Sequence, residues 1–150
     1  MTIFNRTTSD DNDFRGLVAF LDKDLAIRDG DEHSFYAQFN KIDAIKNVIV
    51  CYIDEKPIGC GAFKPYDEKT VEIKRMFVQP EYRGHGIGLT ILKELELWAA
   101  ELNYPGCILE TGKKQPEAIR LYEKAGYNII NNYGQYEHVE NSVCMSKAIL

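Results

Sequence analysis

A mixed α/β sandwich, in the order β-α-α-β-β-β-α-β-α-β-β, is the fold the sequence predicts. Three observations carry that expectation. Short apolar runs rich in Val, Ile, Phe and Cys alternate with longer segments whose apolar residues recur at helical spacing. A strand-like run, a glycine-rich bend and an amphipathic helix pattern follow one another over residues 70–102. No repeat, linker or low-complexity segment divides the 150 residues, so one domain spanning 1–150 is expected.

Residues 2–7 alternate weakly and read as a first strand. Thr8-Ser9-Asp10 offers a helix cap, and Phe14, Leu17, Val18, Leu21 and Leu25 then recur as one helical face until Arg28-Asp29-Gly30-Asp31 breaks it. A second helix is expected at about 33–41, carrying Phe35, Tyr36 and Phe39. Asn47 to Asp54 reads as a buried strand, Asp54-Glu55-Lys56-Pro57 as a turn, and Ile58 to Pro65 as the hairpin partner. After the turn at Asp67-Glu68-Lys69 comes a long strand, 70–79. Ile91, Leu92, Leu95, Trp98 and Leu102 form the core stripe of the next helix, so Trp98 reads as packing. Cys107 to Glu110 is a short strand. Gln115 to Ala125 is a helix with Pro116 in its first turn, where a missing N–H costs little, and Gly126 stops it. Residues 127–131 and 142–149 read as two final strands around a polar loop.

Composition excludes several function classes. Apolar residues make up 45% and charged residues 27% of the chain, as in a soluble globular protein. No run approaches the roughly 18 apolar residues of a membrane span, and the N-terminus lacks a signal-peptide layout. The net charge of −5 and the lack of a basic block argue against nucleic acid as a partner. Cys51, Cys60, Cys107 and Cys144 are far apart, form no C-x-x-C and do not cluster with His33, His85 or His138. No metal site is expected, and reduced thiols in a cytoplasmic protein fit best.

Residues 78–88, Val78-Gln79-Pro80-Glu81-Tyr82-Arg83-Gly84-His85-Gly86-Ile87-Gly88, carry the chemistry. A strand, a glycine bend and a helix N-terminus make an anion cradle, because free helical N–H groups point at the ligand and glycine lets the backbone approach it. A P-loop is excluded, since no Gly-Lys is followed by Ser or Thr. A dinucleotide fingerprint starting at Gly84 would need its third glycine at Leu89, whereas Gly88 lies one residue early.

Arg83-Gly84-His85-Gly86-Ile87-Gly88 resembles the Gln/Arg-x-x-Gly-x-Gly/Ala pattern that binds the pyrophosphate of coenzyme A in the GNAT N-acetyltransferase superfamily. Gln115-Pro116-Glu117-Ala118-Ile119-Arg120-Leu121-Tyr122-Glu123-Lys124-Ala125-Gly126-Tyr127 resembles the same family's Asn-x-x-Ala-x-x-Leu-Tyr-x-x-x-Gly-Phe/Tyr signature, with Gln115 where Asn is usual. The resemblance covers nearly the whole chain and is strongest from Ile58 to Tyr127. It implies the acyl-CoA N-acyltransferase fold, a mixed, mostly antiparallel sheet flanked by helices, and a bound acetyl-CoA. Backbone atoms of Phe77 and Val78 would meet the pantetheine arm, and Gln79 would also touch the cofactor. Arg83 through Gly88 would wrap the pyrophosphate, with His85 present for its backbone, and Gln115 and Tyr122 would also touch the cofactor. Lys113, Lys114, Arg120 and Lys124 are candidates for the 3′-phosphate, although a solvated charged face is the favoured reading for most of them.

The reaction implied is direct attack of an amine on the thioester carbonyl in a ternary complex. An amine must lose a proton to attack, and a departing thiolate benefits from gaining one. Glu72, on the strand leading to the cradle, is the candidate base. With a period of two it shares a face with Lys74 and Met76, opposite Ile73, Arg75 and Phe77, unless a bulge inverts that parity downstream. Tyr122 is the candidate acid, since a phenol with an ordinary pKa near 10 is protonated at neutral pH. A structural strand glutamate and a packed helix tyrosine are the alternatives. For the acceptor, a small amine or amino acid is expected, with Tyr36, Glu110, Tyr133 and Tyr136 as candidate pocket residues. A protein N-terminus or lysine, or acyl-CoA binding without turnover, are the rival readings. The family also implies a possible homodimer.

Overall fold

In a computed structural model of the chain, residues 1–29 and 44–150 are described. The expected helix at 33–41, with Phe35, Tyr36 and Phe39, lies outside the described residues. The elements are β1 (Thr2–Thr7), α1 (Asn12–Asp29), β2 (Asn47–Ile53), β3 (Lys56–Pro65), β4 (Thr70–Val78), α2 (Ile87–Glu101), β5 (Gly106–Gly112), α3 (Pro116–Lys124), β6 (Asn128–Ile130) and β7 (Ser142–Ala148), with single 3-10 turns at Pro80–Tyr82 and Gly134–Tyr136.

The helices start and stop for local reasons. Asp11 caps α1, its Oδ1 accepting the Phe14 N–H at 3.0 Å. The cap is thus one residue past the expected Thr8-Ser9-Asp10, because Ser9 is engaged elsewhere: its hydroxyl accepts the Ile45 N–H at 2.9 Å. The hairpin between β2 and β3 is tighter than expected. Asp54 and Glu55 take positive φ (49° and 71°), which lets β3 begin at Lys56.

The seven strands form one sheet in the order β1-β2-β3-β4-β5-β7-β6. Every neighbouring pair is antiparallel except β4 and β5. Helices cover both faces. On one face α2 sets Ile87, Ile91, Leu92, Leu95 and Ala99 against Ile49, Ile58, Phe63, Val71 and Ile73, and α3 adds Tyr122. Trp98 packs edge-on to Phe63, ring centroids 5.8 Å apart, in the packing role the stripe predicts. On the other face α1 lays Phe14, Leu17, Val18 and Leu21 on Val48, Val50, Cys60, Ala62 and Phe77. All four cysteines are free and buried in strands.

Two departures from regular pairing build the site. The first is the β4–β5 junction. These strands pair only over Thr70↔Gly106, Val71↔Cys107 and Glu72↔Ile108, then separate, while β4 runs on to Val78 and β5 to Gly112. The second is a bulge in the β3–β4 ladder. Cys60 pairs with Phe77 and Ala62 with Lys74, so Arg75 and Met76 both stand opposite Gly61, and Arg75 takes φ 60°. The freed Arg75 carbonyl accepts the Cys60 thiol at 3.3 Å. Parity inverts at this point. Glu72 and Lys74 lie opposite Ile73 as period two requires, but Arg75 and Phe77 turn to the α1 face, with Arg75 bonded to Asp22 of α1, while Met76 and Val78 turn toward α2.

Candidate active site

Where β4 and β5 part, two connected hollows open. The larger, about 380 Å³, runs between the end of β4, the start of α2 and one face of α3. Its wall includes Phe77, Val78, Arg83, Gly84, Gly86, Ile87, Gly88, Gln115 and Tyr122. Nine of the residues expected to meet the cofactor therefore lie along one groove. Two do not. Gln79 spends its backbone N–H on the Ile58 carbonyl at 2.8 Å, and His85 points outward as an exposed residue. Tyr82, Leu89, Ala118, Leu121 and Lys124 complete the wall. Of the four basic residues expected near the 3′-phosphate, only Lys124 lines it.

The groove fits a pyrophosphate on its own geometry. Gly86, the residue before α2, has φ 80°, and no side chain caps the helix, so its first N–H groups face outward. Gly84 has φ 84°, and a Cβ built on either glycine meets nothing within 4 Å. The glycines thus serve the backbone conformation and leave the space beside it open. Gly88 differs, for a Cβ there would stand 3.4 Å from Leu121, so it lets α2 and α3 approach. Arg83 is held in place from behind: Nε donates to the Val78 carbonyl at 2.7 Å, and the guanidinium lies 5.5 Å over the Phe77 ring. At the far rim, Arg28 of α1 pairs with Asp24 (3.3 Å) and with Glu117 in the first turn of α3.

The smaller hollow, about 100 Å³, lies on the α1 side of the splayed strands. Glu72, Lys74, Arg75, Glu110, Thr111, Gln115, Tyr122, Tyr136 and Asn141 line it. Gln115 and Tyr122 belong to both walls, so they stand at the junction. The Tyr122 hydroxyl has no hydrogen-bond partner among the described residues, while its ring packs edge-on to Tyr127 at 6.0 Å. Burial first, and the negative charge of Glu110 second, push this hydroxyl above the ordinary tyrosine range, so it holds its proton at neutral pH.

Glu72 is 5% exposed. Its Oε2 accepts the Tyr133 hydroxyl at 2.6 Å, and Oε1 lies 3.8 Å from Lys74 Nζ. Burial holds the Lys74 ammonium below the ordinary lysine range, with Glu72 pulling the other way. Glu110 accepts the Ser142 hydroxyl at 2.7 Å from neighbouring β7. Tyr133 stacks edge-on between Tyr66 (5.2 Å) and Tyr136 (5.9 Å), so the polar loop expected after β6 is an aromatic clasp over Glu72. Tyr36 lies outside the described residues. Lys74, Arg75 and Asn141 were not expected at the site. The strand parity gave a signal for Lys74, but nothing local announces the other two. Among the described residues, no three His, Cys, Asp or Glu side chains converge to hold a metal, and no helix is long and apolar enough to cross a membrane.

Known proteins resemble this chain in sequence and in fold. The model of the acetyltransferase (GNAT) family matches residues 12–127. The chain belongs to the GNAT acetyltransferase family. This GNAT chain is 38% identical over 93 residues to an IAA acetyltransferase of Azospirillum brasilense, a stretch covering 61% of each protein. It is 34% identical over 94 residues to the uncharacterised N-acetyltransferase YjcF of Bacillus subtilis, covering 61% of this chain and 64% of that protein. The match thus spans less than two thirds of the length of either relative. Among solved structures, a candidate acyl-CoA N-acyltransferase of Klebsiella pneumoniae superposes with a TM-score of 0.82 at 27% identity, over 100% of this chain and 99% of that one. The PaiA N-acetyltransferase of Thermoplasma acidophilum, crystallised with coenzyme A, shares the fold at TM-score 0.73 and 17% identity, over 99% of both chains.

Proposed function

We propose that the chain moves an acetyl group from acetyl-CoA to a primary amine of a small molecule or amino acid, by direct attack in a ternary complex. One observation carries this reading: a buried carboxylate, Glu72, and an unpartnered tyrosine hydroxyl, Tyr122, line the same cavity, and Tyr122 also lines the glycine groove. Acetyl-CoA would supply a thioester carbonyl to the amine. The residues fit that donor, since uncapped helical N–H groups, two positive-φ glycines and Arg83 suit a pyrophosphate.

In this reading Glu72 takes a proton from the amine through water, with Tyr133 holding its carboxylate still. As the C–N bond forms and the C–S bond breaks, Tyr122 gives its proton to the departing sulfur. General acid and base groups of this kind contribute about 100- to 10,000-fold each. Glu72→Gln and Tyr122→Phe should therefore each lower kcat by at least about 100-fold in a thiol-release assay over an amine panel. Tyr122→Phe should fold as the wild type does, because the lost hydroxyl leaves no partner unsatisfied. Wild-type kcat in both variants would remove these roles. Tight acetyl-CoA binding with no acceptor releasing thiol would make this a binding protein instead.

A further inference from the structure

Arg75 has a use that neither the fold nor the chemistry above assigns. Its side chain is 2% exposed. Nη1 donates to Asp22 Oδ1 at 3.1 Å, whereas Nε and Nη2 are shut off from solvent and have no hydrogen-bond partner among the described residues. Buried polar groups are nearly always paired, and a charged group left short is the costlier case. The two vacant nitrogens are neighbours on one edge of the guanidinium. That edge is the side-on fork whose parallel N–H bonds match the two oxygens of a carboxylate.

The position is also informative. Without the bulge Arg75 would share the face of Ile73 and enter the apolar core under α2. The extra residue turns it to the α1 face instead, at a backbone φ of 60° that an arginine adopts only at a cost. There it lines the same small cavity as Glu72 and Glu110. The cavity wall therefore combines the carboxylates Glu72 and Glu110, the Lys74 ammonium beside Glu72, and a guanidinium whose Nε and Nη2 are unused among the described residues. Its volume of about 100 Å³ is that of roughly three liquid waters, enough for the head of a small zwitterion.

We propose that the Arg75 fork binds a carboxylate on the acceptor, which makes the acceptor an amino acid or a similar amino-carboxylate. The amine faces Glu72 and Glu110 while the carboxylate docks on Nε and Nη2, and docking requires the cavity to widen at Arg75. This deepens the acetyl-transfer reading and rests on it. Arg75 is here a specificity residue and takes no part in the proton transfers.

The test uses the full chain and matched acceptor pairs, an amino acid against its carboxamide (glycine and glycinamide, β-alanine and β-alaninamide, and longer homologues). The acids should exceed the amides in kcat/KM by about 10- to 100-fold, mostly through KM, the size of a charge-assisted pair of hydrogen bonds. Arg75→Lys keeps the charge beside Asp22 but removes the fork, and should bring the acid-to-amide ratio within about threefold of one. Equal use of acids and amides by the wild type overturns the proposal. So does a proportional loss on both series in Arg75→Lys, which is what a purely structural arginine would give. Calorimetry with N-acetylglycine and N-acetylglycinamide separates this from the activity itself. If neither series releases thiol, tighter binding of the acid to wild type but not to Arg75→Lys supports the fork while the acetyl-transfer reading falls. Equal binding of the two overturns it.

Discussion

Gly61 sets the gap between the sheet and α2, and adding one methyl group there tests how firmly that gap positions the cradle. A Cβ at Gly61 would lie 2.5 Å from Met76 Sδ, 2.9 Å from Ile91 Cγ2 and 2.9 Å from Leu95 Cδ1. Comfortable carbon contacts are about 3.5–4.0 Å, so each neighbour must retreat by roughly 1 Å. Met76 is flexible and only partly buried, and can yield. Ile91 and Leu95 are fully buried and belong to α2, so they yield only if the helix rises from the sheet. Overpacking of this kind costs about 1–3 kcal/mol, offset by about 0.4–1 kcal/mol from the stiffer unfolded chain. Gly61→Ala should therefore destabilise by about 1–2 kcal/mol in urea titration. Because the proposed pyrophosphate cradle lies at the N-terminus of α2, coenzyme A affinity by calorimetry should fall as well. Gly61→Ala combined with Met76→Ala, which removes the closest clash, should recover part of both losses. A neutral or stabilising Gly61→Ala would refute the claim that bulge, glycine and helix are packed without slack.

Three further outcomes follow from particular residues. Burial pushes the Cys60 thiol from its ordinary value of 9 up to about 12, so its stabilising effect is complete below pH 9 and is lost as pH rises toward 12; the loss is about 4 kcal/mol at the limit, and Cys60→Ala should flatten the decline of urea midpoint between pH 9 and 11. Tyr122, Tyr127 and Tyr133 are also raised by burial and steepen the same alkaline decline above pH 10. Lys147 Nζ meets Glu96 at 2.8 Å, and Glu96 also accepts the Tyr127 hydroxyl at 2.9 Å, so Lys147→Met strands a buried carboxylate and should cost about 3 kcal/mol, against about 1 kcal/mol for Tyr127→Phe; equal effects would contradict this ordering. Gly84→Ala meets no atom within 4 Å, so it should cost about 1 kcal/mol through its φ of 84° alone while weakening coenzyme A binding, both readable from melting with and without the ligand.

Local patterns made most of the scaffold legible. The α2 stripe from Ile91 to Leu102, the glycine bend and Pro116 at the start of α3 each state their structure within a few residues. What stayed hidden depends on partners distant in the chain. The hydroxyl on Glu72 comes from Tyr133, 61 residues away, and no periodicity reports such a pairing. The bulge at Arg75 is a mismatch between two strands, so only its possibility, not its position, can be read from β4 alone. It decided which face Phe77 and Arg75 took. Gln79 illustrates the limit of motif reading: it stands beside the pattern, yet its N–H serves the β3 edge.

The three rungs joining β4 to β5 give the sheet a weak seam. On one side lies a four-stranded meander, on the other a three-stranded unit, and beyond Glu72 no ladder ties them. Beyond Glu72 the two halves are joined through the side-chain core, where Ile73 and Leu109 share one buried cluster with α2 and Tyr122. A long ligand laid along the opening would take the place of the missing strand. In the proposed reading the donor would then be a temporary part of the framework, completing the wall of the acceptor cavity while it is bound.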